Sequence, residues 1–360
     1  MRTQRKNMTL SIRNTLEEMI FRGELHSGEM LASNTELAER FGVSTLTADR
    51  AVRHLVKQGL VYRKQGVGTF IAASKVQKTQ ATIRIGILDR EFPATPLWDS
   101  AMGIRTRISF QYFYKKQCEA RLIDYATVSD AKKLSEAVRD LDGLLVSAIF
   151  IDRVTIPNLM RLSIPIVVTH LEEVLDLPFH EVVMDNNKGL REAAQKMMES
   201  QPEEVLIIYE GHSNGRIRKR IFEENIRLLG YSEQRIKYYQ IETDALNNGV
   251  PSYRLGLRLC QEIKGKFLFS TSDVVSFSLL EAFREKGLEA GKDFQLLSYD
   301  NLEDYGCLPF QKPFLTTIDA PKTRQAERSA ELLLEQIGKP QDETMIIRVP
   351  TKLVIRKTAF

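Results

Sequence analysis

The sequence predicts an α/β chain in two unequal parts. A helix–turn–helix–hairpin module occupies residues 1–72, a linker 73–81, and a two-lobed domain of parallel sheets residues 82–360. Three observations predict this. Two helical patterns spanning Leu37–Leu55 are followed at once by a hairpin pattern with Gly66-Val-Gly68 at its tip. From Ile83 onward, short continuous apolar runs alternate with amphipathic helical periods, the pattern of parallel strands covered on both faces. The charge is also unevenly divided: residues 1–80 hold 13 Lys and Arg against 7 Asp and Glu, and the remainder holds 38 against 40.

The elements of the first part follow in order. Leu10, Ile12, Leu16, Met19 and Ile20 share one face of a first helix, with Gly23 and Gly28 bracketing its end. Ser33 or Asn34 can cap a second helix carrying Leu37, Ala38 and Phe41, and Gly42 gives the turn its backbone freedom. Ser44 can cap a third helix, with Leu46 or Thr47, Ala51, Val52 and Leu55 inward and Thr45, Asp49, Arg50, Arg53 and His54 outward. A glycine-tipped wing then joins Val61-Tyr-Arg63 to Thr69-Phe-Ile71. This is a winged helix-turn-helix, an arrangement that enters the DNA major groove. The positive charge concentrated in the same segment suits phosphate attraction. The residues placed to meet DNA are Ser44, Thr45, Thr47, Arg50 and Arg53, with Arg63, Lys64, Gln65, Gly66 and Gly68 on the wing.

In the large domain the predicted strands are Ile83–Leu88, Ala120–Tyr125, Gly143–Val146, Ile164–Thr169, Val205–Tyr209, Ile236–Ile241, Phe267–Ser270 and Phe294–Tyr299. Helical periods separate them at Ser129–Arg139, Asn187–Glu199, Arg216–Leu229, Tyr253–Lys264 and Val274–Lys286. Two sheets of five or six strands fit the length better than one. Ligands of such sheets sit at the C-terminal ends of strands, so candidate binding residues can be read from strand ends. They are Trp98, His170, Arg218, Ser272, Asp273 and Asp300. An aromatic face, an arginine and several carboxylates suit a polyhydroxylated small molecule, whose ring stacks while its hydroxyls take bidentate bonds. Each residue also has a plainer reading: the run Arg216–Arg220 as a solvated helix face, Trp98 as packing, His170 as a satisfied loop histidine. Lobe-crossing strands are expected near Asp185, Asp300 and Asp319. A helix over Thr95–Tyr114 carries the aromatic run Phe110–Tyr114, which serves either a dimer interface or the lobe core.

Other chemistries find no support. Cys118, Cys260 and Cys307 are far apart and form no disulfide or metal-ligand spacing. The five histidines are scattered, and no HExxH or GxxxxGK[ST] motif occurs. No catalytic residue, metal or cofactor is therefore expected. No apolar run follows the basic N-terminus and none approaches the ~18 residues of a membrane span, so a cytoplasmic protein with no membrane partner is expected.

The first segment resembles the DNA-binding domain of the GntR family. The likeness rests on Ser27-Gly-Glu-Met-Leu31, Glu36-Leu-Ala38, Phe41-Gly-Val-Ser44, Thr47, Ala51, Gly59-Leu-Val61 and Gly66-Val-Gly-Thr-Phe70. It departs at Thr35, Thr45 and Asp49, where arginine is common in that family, which implies a different operator. The large domain resembles the periplasmic-binding-protein-like effector domain of LacI/GalR regulators. The matching pieces are Leu141–Leu145, Ile164–Val167, Val183–Gly189, Arg218 twelve residues before Gly230-Tyr231, Ser272-Asp273, Gly287-Leu288, Leu297–Asn301, Pro313–Ile318 and Leu353–Arg356. That resemblance puts Arg218 and Asp300 at principal effector-contacting positions and Trp98, His170, Ser272 and Asp273 at further pocket positions. Ile221, Ser272 and His170 depart from it. The combination resembles arabinose-responsive repressors. It implies a homodimeric transcription regulator, most often a repressor, with a double-stranded DNA operator and a small sugar-like effector.

Overall fold

The computed structural model describes residues 2–21, 24–72, 82–89, 98–241, 249–341 and 343–360. The expected linker, residues 95–97, Gly23, and the side chains of Leu10 and Trp98 lie outside the described residues. The chain forms a mixed α/β structure with an N-terminal winged module and two parallel-sheet lobes.

In the winged module, helices α1 (Arg2–Phe21), α2 (Asn34–Phe41) and α3 (Thr45–Lys57) are followed by the antiparallel pair β1 (Val61–Lys64) and β2 (Gly68–Ile71). Ile12, Leu16, Leu37, Ala51, Val52 and Leu55 close one core. Ser33 rather than Asn34 caps α2, through a capping box with Glu36. Gly42 ends α2 at φ +62°, a left-handed conformation that a side chain would strain. Ser44 caps α3 as expected, its Oγ accepting from Thr47 N at 3.3 Å. The choice left open between Leu46 and Thr47 is settled: Thr47 is buried and Leu46 exposed.

The N-lobe sheet contains β3 (Arg84–Asp89), β4 (Glu119–Asp124), β5 (Gly143–Ser147), β6 (Ile166–Leu171), β7 (His180–Asp185) and β13 (Ile346–Pro350), all parallel, in the order β13-β7-β6-β5-β3-β4. The C-lobe sheet contains β8 (Val205–Glu210), β9 (Ile236–Ile241), β10 (Phe267–Ser270), β11 (Gln295–Tyr299), β12 (Thr316–Asp319) and β14 (Lys352–Val354), in the order β14-β12-β11-β10-β8-β9, with only β14 antiparallel. Helices α4 (Trp98–Lys115), α5 (Ala131–Ala137), α6 (Thr155–Leu159) and α11 (Lys322–Gly338) belong to the first lobe. Helices α7 (Asn186–Ser200), α8 (Ser213–Leu228), α9 (Gly249–Leu259) and α10 (Asp273–Glu285) belong to the second. Each sheet separates two apolar clusters. Both faces of strands such as β5 and β10 are therefore buried, which is why their sequences read as unbroken apolar runs.

The chain crosses between lobes at Asp185, at Asp319–Pro321 and at Thr351. Asp300 is not a crossing: the chain leaves β11 there and returns to the same sheet as β12. Two crossings are tied together, since Thr351 donates N and Oγ1 to the Asp185 carbonyl at 3.0 and 2.9 Å. Gly189 lets α7 approach this point; a Cβ there would lie 2.8 Å from Thr351 Oγ1. The aromatic run of α4 does not form an outer apolar face. Phe110 and Phe113 are buried in the N-lobe core, and Tyr114 packs on the winged-module core. Gln111 Nε2 also donates to the buried Glu17 of α1 at 2.7 Å.

Candidate functional sites

The first site is the outer face of α3 and the wing. Thr45, Arg50, Arg53, Arg63, Lys64 and Gln65 are all exposed. Thr47 is the exception among the residues placed to meet DNA. It is buried, and its hydroxyl lies 2.9 Å from Ser44 Oγ, so it stiffens the start of α3 from inside. Asp49 organises the face. Its carboxylate accepts from Arg63 of the wing at 2.6 Å and from Asn34 of α2 at 3.2 Å, and it pairs with Arg53 one turn along α3. The Arg63 hydrogen bond above all holds the Asp49 carboxyl below its ordinary range. Three elements are thus pinned by one acid. Arg50 has no ion-pair or hydrogen-bond partner among the described residues, leaving its guanidinium available. Lys64 lies 5.3 Å over the Phe70 ring.

The second site is the cleft between the lobes, a space of about 100 Å³ at the C-terminal ends of both sheets. His170, Arg218, Ser272 and Asp300 all line it. Trp98 begins α4, with its side chain outside the description, and no described Phe, Tyr or Trp ring lines the space. Asp273, expected in the pocket, is a correction: it sits wholly buried behind the wall. Its two oxygens accept from Leu302 N at 2.7 Å and Thr317 Oγ1 at 2.9 Å, so it holds the loop after β11. Burial raises its pKa to about 7. Ser272 caps α10 through its Oγ.

The centre of the cleft is a buried ionic network. Arg218 enters from the first turns of α8. Its Nε donates to Glu172 at 3.0 and 3.1 Å, and Nη2 pairs with the same carboxylate. Nη1 donates to the Thr271 carbonyl at 2.8 Å, and both terminal nitrogens lie 3.4 Å from Asp300. The guanidinium carbon lies 3.8 Å from the centre of the Tyr299 ring. Burial works against the Arg218 charge, but Asp300 and Glu172 outweigh it and hold the pKa well above the ordinary value. Glu172 follows β6, so this pair joins the two lobes. Asn186, at the first crossing, donates to Glu172 at 3.0 Å and accepts from Tyr299.

On the other side of Asp300, the buried Lys322 donates to its carbonyl at 2.5 Å and its carboxylate at 3.3 Å. Asp300 has φ +122° and His170 φ +64°, both rare for non-glycine residues. Against the cost of burial, Arg218, Lys322 and Arg105 keep the Asp300 carboxyl below its usual range. His170 Nδ1 lies 2.7 Å from Ser147 Oγ. Burial, and then the charge of Arg105, push its pKa well below the ordinary imidazole value, so the ring is neutral.

Sequence reasoning missed Glu172, Lys322, Arg105, Asp89 and Glu210. Asp89 and Glu210 end β3 and β8 and line the cleft, so the strand-end rule that singled out Asp300 could have found them. Lys322 and Arg105 carry no such signal, because each reads as an ordinary helix-surface cation. No group of His, Cys, Asp and Glu among the described residues could hold a metal. No described helix is long and apolar enough to cross a membrane.

Comparison with known proteins agrees with both halves. Residues 9–71 match the family described as bacterial regulatory proteins, gntR family, and residues 195–359 match the periplasmic binding protein-like domain. A stretch of 100 residues is 34% identical to the HTH-type transcriptional repressor PurR of Pasteurella multocida, covering 28% of this chain and 29% of that one. Another, of 67 residues, is 40% identical to the HTH-type transcriptional repressor NagR of Bacillus subtilis, covering 19% and 28%. The chain thus spans under a third of the length of these relatives. Among solved structures, a LacI family transcriptional regulator from Enterococcus faecium with bound ribose superposes with TM-score 0.63 at 20% identity, covering 77% of this chain and 98% of that one. A periplasmic binding protein/LacI transcriptional regulator from Alkaliphilus metalliredigens complexed with D-xylulofuranose gives 0.58 at 18%, covering 78% and 100%. The chain carries a GntR-type helix-turn-helix domain and a periplasmic-binding-protein-like domain.

Proposed function

We propose that this chain is a cytoplasmic transcription regulator, a repressor, whose grip on DNA is set by a small sugar-like molecule bound between its lobes. One observation carries the reading: a single chain joins an exposed cationic α3–wing face to a polar cleft crossed by an ionic network. The first suits the phosphates and base edges of a duplex. The second suits a small polyol, with Asp300 the main acceptor for its hydroxyls and room for several water-sized groups. The relatives that are transcriptional repressors and the sugars held by structural neighbours support both halves. The domain boundaries are 1–72, 73–81 and 82–360, and two chains pair as a homodimer that presents two winged modules to a palindromic operator.

Arg218 has a different role from the one its position suggested. Every edge of its guanidinium already faces a protein acceptor, so it orients Asp300 and latches Glu172 of the other lobe. A ligand at Asp300 changes the balance of that latch. Helix α4 is the connecting piece: Arg105 lies in the cleft and Gln111, less than two turns on, contacts Glu17 of the winged module. The effector acts only through its different affinity for the two lobe arrangements.

The test is to select duplexes from a random pool with the full chain and to titrate the selected site with and without a panel of pentoses and hexoses. A selected palindrome whose affinity changes with one sugar supports the reading. Absence of any sequence preference in the selected pool would overturn it. Sedimentation of the free and DNA-bound chain tests the dimer.

A further inference from the structure

Three cationic side chains line the cleft, and two are already matched. Arg218 is paired with Glu172 and Asp300, and Lys322 with Asp300. Arg105 is not matched. Its Nε donates to Gln325 Oε1 at 2.8 Å. No acceptor or carboxylate among the described residues meets its two terminal nitrogens. Glu172 and Asp300 attract it only from beyond contact distance. Gln325 is itself fixed, donating Nε2 to the carbonyls of Leu171 and Val182 at 3.4 and 3.2 Å, so Arg105 is held aimed at the cleft. Nearby, His170 spends Nδ1 on Ser147, and its Nε2 meets no partner among the described residues.

We propose that Arg105, with His170 beside it, forms an anion subsite in this cleft, and that the ligand is an acidic sugar: one carboxylate or phosphate on a polyhydroxylated frame. The inference rests on the cleft being the effector site. A guanidinium with a free fork is built for bidentate contact with such a group. A neutral imidazole adds a hydrogen bond there without a second charge. The other walls carry Asp89, Glu210 and Asp300, which accept from hydroxyls and repel a bare anion. A neutral sugar can share these carboxylates with the partners they already have, Thr106, Thr271, Arg218 and Lys322, but it leaves Arg105 unpaired in a confined space, where an unmade charged hydrogen bond is costly. Only a ligand with both features meets every wall.

The experiment uses calorimetry and thermal shift on the full chain, with D-ribose, D-ribonate and D-ribose 5-phosphate, and with D-glucose, D-glucuronate and D-glucose 6-phosphate. Inorganic phosphate alone is the final probe. In at least one series an acidic member binds tenfold or more tighter than its neutral parent, and which one separates carboxylate from phosphate. Arg105→Gln removes that preference, and Arg105→Lys, which keeps the charge, restores part of it. Neutral parents binding as tightly as their acids would overturn the subsite while leaving the effector cleft standing. If no sugar binds, inorganic phosphate decides: stabilisation lost in Arg105→Gln keeps the anion subsite and removes the sugar, whereas equal response in both proteins removes the subsite.

Discussion

The winged module and the interlobe cleft both join arginines to carboxylates, but in opposite surroundings. On the DNA-facing surface Arg53 and Arg63 keep 58% and 42% of their side-chain area exposed while they pair with Asp49. In the cleft, Arg218, Glu172 and Lys322 keep 7%, 3% and 2%. An exposed pair is worth about 0–1 kcal/mol and is readily exchanged for a phosphate. A buried pair is weak net stabilisation, yet removing one partner costs about 3–5 kcal/mol because a charge is left alone. The first arrangement is suited to reversible contact with a duplex. The second holds two lobes in a defined relation until something of comparable strength enters.

The largest expected effect comes from breaking the buried network. Arg218→Met leaves Glu172 and Asp300 unbalanced, and chemical denaturation is expected to show a loss of about 3–5 kcal/mol. A loss below about 1 kcal/mol contradicts the ledger of charges drawn for the cleft. Next comes the DNA face. Arg50→Ala or Arg53→Ala is expected to weaken binding to a selected duplex by about 1–3 kcal/mol if the side chain reads a base edge. If it meets phosphate instead, the loss is even across sequences and the salt slope drops by about 1. Anisotropy at several salt concentrations separates the two.

Asp49→Ala sharpens the contrast. It frees Arg53 and Arg63 and removes a negative charge, so affinity for random duplex is expected to rise while the ratio of selected to random affinity falls. An unchanged ratio means that Asp49 does not aim these arginines. Folding stability of this variant is expected to change by less than about 1 kcal/mol.

The pH dependence of stability separates two buried cleft-side groups of opposite sign. Asp273 has a folded pKa raised to about 7 by burial, above an unfolded value of about 3.9. The folded state binds its proton more tightly, so this group's contribution falls as pH rises from about 4 to about 7. His170 has a folded pKa depressed by burial and then by Arg105, below an unfolded value of about 6.5. Its contribution is present above that value and is lost on acidification below it. Asp273→Asn should flatten the first slope and His170→Asn the second, both read from denaturation midpoints between pH 4.5 and 8.

Most of the fold was legible because its strands are buried on both faces. Runs such as Gly143–Val146 and Phe267–Ser270 leave no other reading once helices flank them. Strands β7 and β12 are legible only as lobe-crossing strands near Asp185 and Asp319, and β13 and β14 are not legible, since they alternate partly exposed residues at a lobe crossing. Asp300 was legible as a strand-end acid, and so in principle were Asp89 and Glu210. Glu172 was not, because its partner lies 46 residues on in the other lobe. Arg218 was placed in the cleft from sequence, but that all its donors are used internally depends on three-dimensional proximity alone. Thr47 shows the limit at the DNA face: helical spacing left Leu46 and Thr47 equally suited to point inward, and packing chose the one whose hydroxyl completes the Ser44 cap.

The most direct test of the account is the affinity of the full chain for its selected duplex, measured with and without a saturating ligand found in the matched sugar series, in the native chain and in Asp300→Asn. The account predicts at least a fivefold change in duplex affinity in the native chain and none in Asp300→Asn. Ligand binding that leaves duplex affinity unchanged in the native chain contradicts it.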